Sequence, residues 1–214
     1  MNNTAKANVD EGRLKYTAEH TQTPAIEVPG WEKLNDARSE LFALGLVGVT
    51  PCGISFGNLS IRAQADEFLI SGTATGSLAV LTNNHYCLVK SFDISKNHVI
   101  SLGPVRPSSK SMTHGAVYLA NPKVNIVIHI HSRAIFDGMI HAAYAATPKN
   151  AAYGTPEIAI AIGKCVQQTA GNEGAIVLLG HDEGVITYGP TVEKAFSLIQ
   201  ELYNKYTKSG SAAG

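Results

Sequence analysis

The run Ile126-Val127-Ile128-His129-Ile130-His131-Ser132 carries two histidines two positions apart in an apolar, β-branched setting. Such residues favour a strand, and side chains alternate faces along a strand. Ile126, Ile128 and Ile130 then point one way, and Val127, His129 and His131 the other. The two histidines would stand roughly 7 Å apart at their backbones, near enough for both rings to converge on one small cation. The other reading is a pair of imidazoles hydrogen-bonded within a core, since buried imidazoles need partners in either case. One strand offers only two such ligands, so a third must come from another strand end. His181 is the best candidate: it closes the apolar run 174–180 and precedes Asp182-Glu183-Gly184. Three imidazoles with an open position describe a catalytic zinc site, with the metal as Lewis acid. His20, His85, His98, His114 and His141 have no comparable setting and read as ordinary polar residues.

Two further stretches suit an anion. Ser71-Gly72-Thr73-Ala74-Thr75-Gly76 follows a short apolar run, and its small residues let backbone N–H groups turn toward a phosphate or carboxylate. A plain turn accounts for the same composition. Pro107-Ser108-Ser109 opens a helix, and a helix N-terminus favours negative charge. Lys110 comes next, where a cation opposes the helix dipole. Either it is an exposed lysine costing a few tenths of a kcal/mol, or a bound anion or carboxylate offsets that cost.

Elements must position these residues. Leu34, Ala37, Leu41, Leu44 and Leu46 recur at helical spacing from Trp31, and the pattern stops near Gly48-Val49-Thr50-Pro51. Strands are predicted over 56–62, 67–70, 86–92 and 98–102, the last two as a hairpin around Ser95-Lys96-Asn97. A helix over 111–121, capped by Ser108 or Ser109, precedes the histidine strand. A shorter helix is read over 134–143. Thr155-Pro156-Glu157 starts another that runs to about Thr169, with the hydroxyl as cap. Strands over 174–180 and 184–188 form a second hairpin, and Thr191 caps a long final helix through Tyr203. Strands grouped early, with helices before and after, argue for an α+β or a three-layer α/β/α arrangement. Residues 1–30 read as a loose polar arm and 209–214 as a disordered tail.

The chain of 214 residues is long enough for one domain with a sizeable core. Lys+Arg 17 balances Asp+Glu 17, so no net field favours nucleic acid or an anionic membrane. No apolar run is long enough to span a bilayer, and residues 1–30 lack a signal-peptide core. Three scattered cysteines, Cys52, Cys87 and Cys165, fit buried thiols in a cytoplasmic protein.

Five motifs occur in one order: Gly57-Asn58-Leu59-Ser60, the Ser71–Gly76 loop, Pro107-Ser108-Ser109-x4-His114, Ile128-His129-Ile130-His131-Ser132, and Leu179-Gly180-His181-x2-Gly184-Val185-Ile186-Thr187. Together they resemble the class II aldolase/adducin family over roughly residues 31 to 208. The resemblance implies an α/β fold, three-layer α/β/α around a mostly antiparallel sheet. It implies zinc, or another divalent metal, on His129, His131 and His181, and a cyclic homotetramer with active sites between subunits. It places a small anionic substrate near Gly57, Asn58, Ser71, Gly72, Ser108 and Ser109. The loop is one residue longer than the usual form, so Ser71-Gly72 and Thr75-Gly76 compete for that role. One position departs: the family usually has Glu there, or Asp in its epimerase, and this chain has Lys110. A protonated lysine cannot ligate a metal and, with an unperturbed pKa of about 10.4, is a poor base at neutral pH. Ordinary aldol cleavage is therefore in question. The expected activity is a zinc-dependent carbon–carbon lyase, an aldolase or decarboxylase, with Lys110 as catalytic residue. Its substrate would be a small hydroxy-carbonyl, keto-acid or sugar-phosphate compound. The rivals are a non-catalytic, adducin-like assembly module and an epimerase or dehydratase on the same site.

Overall fold

The structure, a computed structural model, describes residues 16–208. Eight strands form one sheet in the order β1-β7-β6-β5-β4-β8-β10-β9. These are β1 Thr17–Gln22, β4 Asn58–Arg62, β5 Phe68–Ser71, β6 Tyr86–Asp93, β7 His98–Gly103, β8 Ile126–His131, β9 Gly174–Val177 and β10 Gly184–Gly189. Every pairing is antiparallel except β1 with β7. A two-residue ladder, β2 Gly48–Val49 with β3 Ser55–Phe56, stands beside it.

Helices cover both faces, because the strand alternation buries both. On one face, Ile126, Ile128 and Ile130 pack with Leu34 and Leu41 of α1 (Trp31–Ala43). Ile135 and Met139 of α3 (Arg133–His141) and Ile199 of α5 (Val192–Thr207) complete that layer. On the other, Val127 and Ile186 pack with Met112 and Val117 of α2 (Ser111–Ala120) and Ile158 and Ile162 of α4 (Pro156–Gln168). The three-layer α/β/α expectation holds, and the mostly antiparallel sheet with it. Among the described residues, no helix is long and apolar enough to cross a membrane.

Several local expectations change. The arm read as loose contributes a strand: Tyr16 is buried in the core, and Thr17–Gln22 lies parallel on β7, satisfying an edge that would otherwise leave N–H and C=O groups unpaired. Residues 1–15 and the tail 209–214 lie outside the described residues. The strand over 56–62 is broken at Gly57, whose φ of 76° takes the left-handed conformation that glycine tolerates. The strand over 174–180 stops at Val177, and 178–181 form a turn closed by the His181 N–H donating to the Leu178 carbonyl. Neither serine caps α2: Lys110 occupies that position, and Ser108 Oγ instead accepts the Lys110 N–H at 3.3 Å. Thr155 is the N-cap residue of α4, with Pro156 at the first position, but its hydroxyl makes no capping bond and donates to the Ala152 carbonyl at 2.7 Å. Ser132 and Thr191 do cap α3 and α5, accepting the N–H groups of Ile135 and Lys194.

Candidate active site

Strand β8 lies between β4 and β10, opposing His129 to Asn58 on one side and to Ile186 on the other, with His131 opposite Gly184. His129 and His131 share the face of Val127, toward α2 and α4. His181 reaches them from the turn after β9. The ring centroids are 4.9 Å apart for His129–His131, 5.3 Å for His129–His181 and 4.7 Å for His131–His181. One ligand nitrogen from each lies within 4.8 Å of the other two.

Two glycines make this convergence possible. A Cβ on Gly184 would lie 2.6 Å from His181 Cδ2 and 3.3 Å from His129 Nε2, filling the space between the rings. A Cβ on Gly180 would lie 1.8 Å from the Ala151 carbonyl oxygen, so only glycine lets the His181 turn approach that backbone.

The donor chemistry fits a cation. Burial, followed by the neighbouring His131 and Lys110, holds the His129 imidazole well below the usual range. Burial and then the Lys110 charge push His131 down to about 3, against a small opposing pull from Asp182. Neutral imidazole is the metal-binding form. Both ring nitrogens of His129 are buried without a hydrogen-bond partner among the described residues, which is costly unless something else occupies that lone pair. His131 Nε2 and His181 Nε2 stand 3.0 Å apart. One must donate to the other, and a cation would replace that shared proton.

A cavity of about 220 Å³ opens over the histidines. Its wall includes Phe56, Gly57, Asn58, the 72–75 segment, Ser108, Ser109, Lys110, His129 and His131. None of the described lining residues is acidic. Lys110 is buried, 3% exposed, with Nζ 3.9 Å from the centroid of the Tyr153 ring. The same ring lies 5.0 Å from that of His181.

A family model described as the class II aldolase and adducin N-terminal domain matches residues 33–205. The chain belongs to this family. Its fold is similar to that of L-fuculose-1-phosphate aldolase from Thermus thermophilus, at 20% identity over 86% of this chain and 96% of that one, with a TM-score of 0.59. L-fuculose 1-phosphate aldolase from Glaciozyma antarctica is similar at 20% identity over 100% of this chain and 80% of that one, TM-score 0.59. An aldolase II superfamily protein from Pseudomonas syringae is similar at 17% identity over 88% of this chain and 79% of that one, TM-score 0.60. At these identities the likeness is one of fold. No curated protein sequence matches the chain.

Within this class II aldolase fold, most residues marked in the sequence come together. Gly57, Asn58, Gly72, Ser108, Ser109 and Lys110 share one cavity with His129 and His131, and His181 Nε2 lies 3.0 Å from His131 Nε2. Ser71 is off the wall: it ends β5, and its hydroxyl accepts the Leu59 N–H at 3.2 Å. Both glycines of the loop sit where a side chain would not fit. A Cβ on Gly72 would meet Val105 at 2.4 Å, and one on Gly76 would meet the Gly48 carbonyl oxygen at 2.0 Å, leaving 72–75 along the cavity. The Lys110 seen in sequence as a dipole misfit is a buried cation on an aromatic face.

One residue escaped the sequence reading and another was given no role by it. Tyr153 lies between α3 and α4 with no periodicity to mark it. His114, read as ordinary, is fully buried on α2, one turn after Lys110. Its Nδ1 is 2.7 Å from Ser60 Oγ, which in turn lies 2.7 Å from the Tyr118 hydroxyl, while Nε2 has no partner among the described residues. Burial first, then the Lys110 charge, push its pKa down to about 3. Below about 6.5 the unfolded chain takes up a proton at this position that the folded chain refuses until about pH 3. Stability is therefore lost as pH falls through that window, by about 1.4 kcal/mol per unit. Between pH 7 and 5, urea unfolding of wild type should lose about 2 kcal/mol more than that of His114→Gln. Parallel pH profiles would contradict the assignment.

Proposed function

We propose that this protein is a metal-dependent carbon–carbon lyase acting on a small anionic hydroxy-carbonyl or keto-acid substrate. The observation that carries the reading is the convergence of three imidazoles beside a cavity that also holds a buried lysine and no described acidic wall residue. A divalent cation, zinc on chemical grounds, would be held by His129, His131 and His181 and would supply Lewis-acid stabilisation of negative charge developing on the substrate.

The chain's own residues supply binding and proton control. Ser108 and Ser109 at the start of α2, with the 72–75 segment and Asn58, line the wall where an anionic group is received. Lys110 Nζ sets a positive charge toward the developing anion and carries a proton it can deliver to carbon, regaining one from water. Aldol cleavage needs a base for a hydroxyl proton, the part a carboxylate at position 110 would take. Loss of carbon dioxide leaves an electron pair on carbon without that base, so decarboxylation is the favoured branch. We further propose that copies of the chain associate, with the cyclic tetramer the family resemblance implies. Three cysteines that are all free support a reducing, cytoplasmic setting.

The test is turnover by the zinc-loaded protein of a panel of hydroxy-keto acids and hydroxy-ketone phosphates. Release of carbon dioxide or of an aldehyde supports the lyase. Rearranged or dehydrated products would instead favour an epimerase or dehydratase. Metal binding without turnover of any member would favour an assembly module.

A further inference from the structure

Tyr16 and the strand β1 that follows it lie outside the matched family span, which begins at residue 33. Tyr16 is nonetheless buried, in the core layer beneath α2 and α4. Burial, against a smaller pull from the Ser111 hydroxyl, raises its phenol above the ordinary range, so the hydroxyl keeps its proton and can donate. It donates to the Ser108 carbonyl at 2.8 Å and reaches the Pro107 carbonyl at 3.5 Å. The Ser108 carbonyl also accepts the Ser111 hydroxyl at 2.7 Å and the Ser111 N–H at 3.0 Å. Three donors therefore fix the direction of one carbonyl. A trans peptide is planar, with its N–H opposed to its C=O. Pinning the Ser108 carbonyl toward Tyr16 aims the Ser109 N–H the other way, to the side where Ser108, Ser109 and Lys110 line the cavity. The residues before this turn are tied to the second wall segment: the Thr73 N–H donates to the Arg106 carbonyl at 3.0 Å, and Gly72 bridges Pro107.

We propose that Tyr16 is a positioning residue of the site: through the Ser108 carbonyl, the N-terminal strand sets the Ser109 N–H and with it the affinity of the cavity wall for an anion. The inference rests on the reading of that wall as the side where an anionic group is received. Strand β1 supplies the anchor, since its pairing with β7 along its whole length fixes where Tyr16 stands. A phenol suits the part, because its ring fills the core while its hydroxyl reaches a backbone carbonyl from there. The N-terminal arm thus acts on the site from behind, through one hydroxyl.

The experiment reads anion binding and local backbone opening rather than turnover. Protein supplied with zinc and freed of excess is titrated with sodium sulfate, at constant ionic strength set by chloride, while backbone amide shifts are followed by NMR. Amide hydrogen exchange is measured on the same samples. Sulfate should shift the Ser109 amide in wild type. Tyr16→Phe keeps the ring, and should weaken sulfate about two- to tenfold, the worth of one hydrogen bond. Its Ser109, Lys110 and Ser111 amides should exchange faster, with those of β8 unchanged. Ser111→Ala removes another donor from the same carbonyl; it should act in the same direction, and makes the comparison if Tyr16→Phe does not fold. Ile199→Val, in the opposite core layer, lowers stability away from the turn and should leave sulfate affinity as in wild type. Equal sulfate affinity in wild type, Tyr16→Phe and Ser111→Ala overturns the inference and leaves the anion wall standing. An equal weakening in Ile199→Val also overturns it, since the effect would then be one of stability alone. No shift of Ser109 with sulfate in wild type overturns the anion wall and this inference together.

Discussion

Lys110→Met is expected to lower turnover about ten- to a thousand-fold, as loss of a group that stabilises transition-state charge commonly does. The substitution keeps the aliphatic stem that fills the space beside Tyr153 and removes only the charge and the proton. The residue is 3% exposed, so the effect cannot be that of a solvated surface cation. If Lys110 acts on the reaction's developing charge, kcat falls with kcat/KM. If it mainly anchors the substrate anion, KM rises while kcat holds. Lys110→Glu places the family's carboxylate beside the histidines. It should weaken the native reaction and favour aldol cleavage of hydroxy-ketone phosphates. Both kinetic constants unchanged in Lys110→Met would remove the residue from the mechanism.

Gly180→Ala should have the largest effect on the folded state. The added methyl would stand 1.8 Å from the Ala151 oxygen and 2.6 Å from its carbonyl carbon, both backbone atoms that cannot rotate away. Either the His181 turn or the segment leading to Tyr153 must move, and each carries a residue of the site. We expect a loss of about 3 kcal/mol, the upper part of the overpacking range. That corresponds to a fall in Tm of roughly 6 to 12 °C for a chain of this size. Gly163→Ala is the control. It lies within α4 with no atom nearer than 3.8 Å to the new methyl, and should be neutral or stabilising by about 1 kcal/mol. Equal melting temperatures for wild type and Gly180→Ala would show that the turn is not held against Ala151 as described.

What could be read from the sequence follows its periodicities. The alternation in 126–131 assigned both faces of β8 correctly, because a two-residue period leaves no choice once one face is apolar. Helices α1, α4 and α5 were legible from apolar spacing and from Pro156 and Thr191. The parallel strand Thr17–Gln22 was not, since a polar edge strand is chosen by the partner it pairs with rather than by its own pattern. Serines before a helix suggested caps, yet the Ser108 hydroxyl turned to the Lys110 N–H, a local competition that composition does not resolve. In the site, the histidines came from spacing and the serines, Gly57 and Asn58 from the ordered motifs. Tyr153 depends on long-range folding of an irregular segment onto α2, which no local signal encodes. His114 looked like any helical histidine until its burial beside Ser60 and Tyr118 gave it a fixed neutral state.

The measurement that bears most directly on the metal-dependent lyase is the zinc content of protein supplied with zinc and then freed of excess, compared between wild type and His131→Ala. The histidine cluster predicts about one zinc per wild-type chain, retained through exchange, and a small fraction of that in the variant. Equal zinc in the two proteins, or none in wild type, would contradict it.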